Sequence, residues 1–294
     1  MFLFQIFSIA SALKLNSLPR NLEPWTQLTR PHNIPASMIF SIGGALTADT
    51  PITDPYPLLE TAAVVATVTT ASVVVNNYYD AELKNDGDKN PIVTGSVSFA
   101  EAKTLFSQLY LLAAVSTFTV FRTYESRCVL LFSIITTYIY SKHLKPHVFI
   151  KNIAVASVTA LAPYLGFITS SSNAVFSAES ATAGLCAATF FGIFSREILM
   201  DITDIESDAK SGTVTTIPVA YGVNTALAIS GVSAFLVCCV CYHYSNNVIM
   251  GEIGSIAMLY RVCEAYVKGE SRCEYAIKES VLTFVFVVAS FLNV

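Results

Sequence analysis

From residue 34 to residue 293 the sequence is a succession of apolar runs separated by short polar stretches, and few folds accommodate such a chain. Nine runs are legible, at about 34–48, 57–76, 102–121, 127–141, 148–170, 182–200, 224–243, 247–266 and 276–293. One crossing of a bilayer takes about 20 apolar residues, and only the fourth run, between Arg127 and Lys142, is clearly short. A soluble domain carries about 25% charged residues; this chain has 13%, with 53% hydrophobic residues. That supply of charge cannot wet the surface of a 294-residue globule. Pro31, Pro35, Pro51, Pro55, Pro57, Pro91, Pro146 and Pro218 fall mainly at run ends, where helix breakers belong. The pattern predicts an all-α, polytopic membrane bundle of about nine transmembrane helices forming one domain over residues 25–294. A net charge of −4 argues against a nucleic-acid partner. The seven cysteines form no CxxC pair and sit mostly in apolar runs, where cysteine acts as a small hydrophobe.

Residues 1–24 read differently. MFLFQIFSIASA is too short to span and ends in Ala10-Ser11-Ala12, a small-residue pattern of cleavage sites. LKLNSLPRN comes next, with Lys14 and Arg20 and no acid before Glu23. This is a targeting segment or an interfacial helix. It resembles the bipartite presequences of complex plastids, with Leu13 where those have Phe. A multi-pass protein of a plastid membrane is the expectation, with the ER or another endomembrane as the alternative.

Basic residues orient the nine runs. The N-terminus and the loops after the second, fourth, sixth and eighth runs hold fifteen Lys and Arg, and the opposite side holds only Arg122 and Arg127. The fifteen-residue side faces the cytosol, or the stroma of a plastid.

Acidic residues gather in two places on that side. The first is NNYYDAELKNDGDKNPIVTG, residues 76–95, where Asn76 and Asp80 are four apart and share a helix face. The second is SREILMDITDIESDAKSG, residues 195–212, where Glu197, Asp201, Asp204 and Asp208 make one carboxylate stripe on a continuous helix. Ionisable groups at membrane depth are expensive and usually functional. Oxygen donors without His or Cys suit a hard cation such as Mg²⁺, held by a few carboxylates, water and phosphate. Arg196, Lys142, Lys145 and Lys151 stand nearby to take the remaining phosphate oxygens. Carboxylate, cation and base describe a diphosphate site. A diphosphate at the top of an apolar bundle implies an apolar tail between the helices, hence an isoprenyl diphosphate. Tyr78, Tyr79, Tyr140 and Tyr164 are candidates for stabilising an allylic cation, although any single aromatic is more readily explained by packing.

These motifs resemble those of the UbiA family of intramembrane prenyltransferases, from TRPHN at residues 29–33 to near the C-terminus. The family's first motif, NDxxDxxxD, is matched by Asn76-Asn77-Tyr78-Tyr79-Asp80, and its second, DxxDxxxD, by Asp201, Asp204 and Asp208. YSKHLKPHVFIKN, residues 140–152, resembles the family's basic segment after the fourth helix. Two departures stand out: Asn77 replaces the first Asp, and Lys84 stands where the last Asp belongs, so Asp86 or Asp88 is left to supply that carboxylate.

The resemblance implies Mg²⁺-dependent prenyl transfer in an all-helical bundle. Asn76, Asp80, Asp201, Asp204 and Asp208 would hold the metal; Arg196, Lys142, Lys145 and Asn152 would bind the diphosphate. Asp80, Asp201, Asp204 and Lys145 would carry catalysis. The acceptor implied is a lipophilic or aromatic quinone precursor; lipid and tetrapyrrole acceptors also occur, and the second motif looks closer to the homogentisate, chlorophyll and archaeal ether-lipid branches. The alternatives are a terpene cyclase of the same family, which needs no acceptor, and a cation-coupled transporter.

Overall fold

The computed structural model describes residues 22–48, 54–83, 90–170, 176–177, 180–212 and 214–292. Most of the expected targeting segment, together with Lys84, Asp86 and Asp88, lies outside the described residues. All regular structure among the described residues is helical. A short helix, α1 (Glu23–Thr29), leads into α2 (Ile34–Leu46), α3 (Tyr56–Leu83), α4 (Phe99–Thr119), α5 (Tyr124–Ile139), α6 (Ile150–Ser170) and α7 (Ala181–Thr203). Two short helices, α8 (Ile205–Ser211) and α9 (Ile217–Tyr221), connect to α10 (Val223–Tyr244), α11 (Val248–Lys268) and α12 (Cys273–Ser290).

Each of the nine expected runs coincides with one of the longer helices. Four of them, α3, α6, α7 and α10, are long and apolar enough to cross a membrane by length and composition alone. Helix α2 has 13 residues, about 20 Å at the α-helical rise, which is short of a hydrocarbon core of about 30 Å. Polar residues start the helices where the runs begin. Ser98 and Glu101 form a reciprocal capping box on α4, and Thr123, Ser180 and Asn247 cap α5, α7 and α11. Leu111, Phe118, Val232, Ile249 and Leu282 point outward and are largely exposed, a surface for lipid rather than water.

Sequence-adjacent helices pack side by side, and α12 returns to touch both α7 and α2, which closes the bundle. Helix α6 is central and packs against α2, α3, α5 and α7. Its crossing with α2 is backbone on backbone. A Cβ on Gly44 would stand 1.9 Å from the Pro163 carbonyl oxygen, and one on Gly166 would stand 1.8 Å from that of Ser41. Small residues at such crossings let helices pack tightly in lipid. Hydroxyl pairs tie other helices together: Thr47 with Thr182 at 2.6 Å, Thr61 with Thr169 at 3.0 Å and Ser195 with Ser230 at 2.8 Å.

Candidate active site

Helix α3 continues past the expected end of its run at residue 76 and reaches Leu83, so Asn76 and Asp80 lie one turn apart on regular helix. Asn76 Nδ2 donates to Asp80 Oδ2 at 2.8 Å. Lys145 Nζ forms an ion pair with Asp80 Oδ1 and donates to Asn76 Oδ1 at 3.3 Å. The lysine is delivered by a π-helical turn, Tyr140–Leu144, that ends α5; Lys145 N donates to Tyr140 O at 2.9 Å. A π-turn inserts one extra residue per turn and so re-aims the chain beyond it, and such turns are frequent at functional sites.

The second motif is met by the other end of the same connector. Lys151 Nζ lies 2.6 Å from Asp201 Oδ1, and Asn152 Nδ2 donates to Asp201 Oδ2 at 2.9 Å. Lys151, Asn152 and Asp201 are all buried. Just before them Phe149 adopts a left-handed backbone, φ 64°, which is strained for a bulky residue by about 1–2 kcal/mol. Its ring packs against Tyr221 at 6.0 Å between centroids. The segment from Lys145 to Lys151 thus carries one lysine to each motif.

The carboxylate stripe does not run along one helix. Helix α7 stops at Thr203; Asp204 is its C-cap (φ −101°, ψ 7°), with its N–H on the Met200 carbonyl, and α8 begins at Ile205. Asp201 is therefore buried, Asp208 half-buried and Asp204 exposed. Burial pushes the Asp208 carboxyl up to about 6; Lys151 opposes the shift, Asp201 and Asp204 add to it, and Lys145 opposes it more weakly.

Tyr140 opens the π-turn, and the charges of Glu197, Asp201, Asp80 and Asp208 all act on its hydroxyl. Tyr78 and Tyr79 immediately precede Asp80 on α3. Tyr78 packs edge-on against Tyr79, Phe99 and Phe106. Tyr164 hydrogen-bonds Glu125 at the start of α5, far along the helix from the π-turn, so its expected place near the site is corrected. Lys142 Nζ sits 5.9 Å from the Tyr79 ring centre. Arg196 Nη1 lies 3.4 Å from Glu197 Oε1 and lines a narrow cleft between α7, α11 and α12 with Arg261. Asn77 faces away from the acids: Nδ2 donates to Leu28 O at 2.8 Å and Oδ1 accepts from Arg30 Nη2 at 2.9 Å. Sequence reasoning missed its partner Asn90, whose Nδ2 donates to Asn77 O at 2.7 Å. No spacing signals a contact between two loops and a helix end.

Among the described residues no three acid, imidazole or thiol groups converge closely enough to cage a metal alone. Mg²⁺ bound through substrate phosphates needs only one or two carboxylates from the protein. Here the donors are all oxygen, and Asn152 Oδ1 is buried with no hydrogen-bond partner beside Asp201. A buried amide oxygen left unpaired is costly unless a ligand meets it. The residues fit Mg²⁺ shared with a diphosphate.

Comparison with known proteins agrees with this architecture. Residues 37–271 match the UbiA prenyltransferase family. The digeranylgeranylglyceryl phosphate synthase of Methanoregula boonei is 33% identical over 214 residues, covering 71% of this chain and 73% of the relative. That of Thermococcus gammatolerans is 28% identical over 202 residues, covering 68% and 70%. In fold, a UbiA homologue from Archaeoglobus fulgidus bound to GPP and Mg²⁺ superimposes with a TM-score of 0.66 at 20% identity, covering 91% of this chain and 99% of that one. A structure of a digeranylgeranylglyceryl phosphate synthase gives a TM-score of 0.70 at 20% identity, covering 92% and 96%. The chain belongs to the UbiA prenyltransferase family and is an integral membrane prenyltransferase.

Proposed function

We propose that this enzyme transfers an isoprenyl group from its diphosphate to the hydroxyl of a prenylated glyceryl phosphate, forming an ether. The observation that carries the reading of the site is the paired arrangement of acid, amide and lysine: Asp80 with Asn76 and Lys145, and Asp201 with Asn152 and Lys151, the two lysines coming from opposite ends of one short connector. The Methanoregula and Thermococcus relatives are digeranylgeranylglyceryl phosphate synthases, which supports a glyceryl phosphate acceptor over an aromatic quinone precursor. Those relatives are archaeal and lend nothing to a plastid or endomembrane address. We assign the transferase domain to residues 25–294.

In this reading Asn76, Asp80, Asp201, Asp204 and Asp208 hold Mg²⁺ on the diphosphate. The metal, when bound, withdraws negative charge from the leaving group. Lys145 and Lys151 turn from Asp80 and Asp201 to the diphosphate oxygens as it arrives, with Lys142 and Arg196 as further cations. Asn152 donates to and orients Asp201. The C1–O bond breaks with its electron pair leaving on pyrophosphate, and we assign to Tyr140 the stabilisation of the positive charge that develops on the allylic carbon. The acceptor hydroxyl oxygen then bonds to C1 and passes its proton to the departing pyrophosphate. Labelled geranylgeranyl diphosphate offered with geranylgeranylglyceryl phosphate, homogentisate or 4-hydroxybenzoate tests this, with products read by mass. An ether-lipid product is expected; a prenylated aromatic would overturn the acceptor assignment, and a hydrocarbon formed without acceptor would indicate a cyclase.

A further inference from the structure

Asn77 occupies the position at which the family motif has its first Asp; its side-chain amide meets Leu28 and Arg30, and its backbone carbonyl meets Asn90. Its side chain is 1% exposed. Nδ2 donates to the Leu28 carbonyl at the end of α1, and Oδ1 accepts from Arg30, whose backbone is left-handed at φ 43°. The Asn77 backbone carbonyl accepts from Asn90, itself buried, whose Oδ1 in turn accepts from Ile92 N at 3.0 Å. The position therefore needs a donor and an acceptor on one short side chain, which an amide supplies and a carboxylate does not. An aspartate here would set an oxygen against the Leu28 carbonyl.

We propose that Asn77 is a positioning residue: its amide ties α1 and the Arg30 elbow to the end of α3, its backbone carbonyl holds the turn after Asn90 there, and together they fix where Asn76 and Asp80 present their oxygens. The proposal rests on the reading of Asn76 and Asp80 as donor-site ligands. On this proposal, restoring the motif's Asp at position 77 loosens Mg²⁺ rather than tightening it.

The test uses the full chain in detergent or liposomes, with Asn77→Asp, Asn77→Ala, Asn90→Ala and, as a control on the underlying reading, Asp80→Asn. Donor KM, kcat and half-saturating Mg²⁺ are measured. Calorimetric titration with Mg²⁺ and an unreactive S-thiolodiphosphate analogue of the donor gives binding without turnover. Both Asn77 variants are expected to raise donor KM, half-saturating Mg²⁺ and the analogue Kd by about tenfold, and to change kcat less. Asn90→Ala should move the same quantities by about threefold without lowering the melting temperature of the bundle appreciably. A merely structural role would lower the melting temperature and leave those constants unchanged in the folded fraction. A tighter Mg²⁺ requirement in Asn77→Asp would overturn the proposal, as would unchanged constants in Asn90→Ala, which decides the matter alone if the Asn77 variants do not fold. Unimpaired turnover in Asp80→Asn would overturn the site reading itself, and the joint's role with it.

Discussion

The two halves of the candidate site use the same three groups but assemble them by different routes. In the first half the amide and the acid, Asn76 and Asp80, come from one helix at i and i+4, and the π-turn adds Lys145. In the second half the acid, Asp201, comes from α7, while the amide and the lysine come from the first turn of α6. The lysine side chain is 16% exposed in the first half and 8% in the second. Any helix containing NxxxD prepares most of the first half, whereas the second does not exist until α6 and α7 dock. The comparison teaches that matching chemistry was placed at two levels of the folding hierarchy, and that one short connector, residues 145–151, binds them together.

The largest effects come from deleting the acids. Asp80→Ala and Asp201→Ala should each lower turnover by two orders of magnitude or more, about 3 kcal/mol of transition-state stabilisation. They should differ in stability. Removing Asp201 strands a buried Lys151, a loss of about 3–5 kcal/mol, while Lys145 retains some access to water and Asn76. Thermal unfolding that falls equally in both variants would break the comparison. Asp54→Ala, which removes a cap at the opposite end of α3, should leave turnover near normal.

Removing the lysines sharpens it further. With Lys145→Met or Lys151→Met the paired acid is released, so Mg²⁺ alone should bind about three- to tenfold more tightly by calorimetry, while the donor binds less tightly. The increase should be greater for Lys151→Met, because that pair is drier. Equal increases would mean that burial does not distinguish the halves.

The pH dependence is smaller and belongs to the second half. The Asp208 carboxyl is pushed from 3.8 up to about 6. Its stabilising protonated form is fully present below the ordinary value and lost as pH rises through about 6. A bound cation favours the charged form and displaces the proton. The Mg²⁺-induced rise in melting temperature should therefore grow between about pH 5 and pH 7, and Asp208→Asn should flatten it. The least intrusive check perturbs neither half. Ser96→Cys, beyond α3, and Ser207→Cys, beyond α7, should label from the same side of the membrane on a cysteine-free background, and labelling from opposite sides would refute the nine-span arrangement.

Much of the molecule was legible in the residues alone because it depends on local pattern. The nine apolar runs became helices since burial in lipid leaves the backbone no other partners. Asn76 and Asp80 met because four residues make about one turn. The stripe from Glu197 to Asp208 was misjudged because its periodicity says nothing of a C-cap at Asp204, where the helix breaks and the carboxylates separate into buried and exposed. Tyr164 was misplaced for a similar reason: composition put aromatics near the site, but its position along α6 put it beside Glu125.

The sequence by itself determined the solvent, the class of fold and the positions of the two acidic clusters, since each depends on residue type and near-neighbour spacing. Tertiary structure alone decided which lysine meets which acid, because Lys145 and Asp80 are 65 residues apart and Lys151 and Asp201 are 50 apart. It also decided that Asn77 turns to α1 and Arg30 rather than toward Asn76 and Asp80. A side chain's neighbours across such separations are set by how the helices dock, here α3 against the π-turn and α6 against α7, and no spacing within one run encodes that geometry.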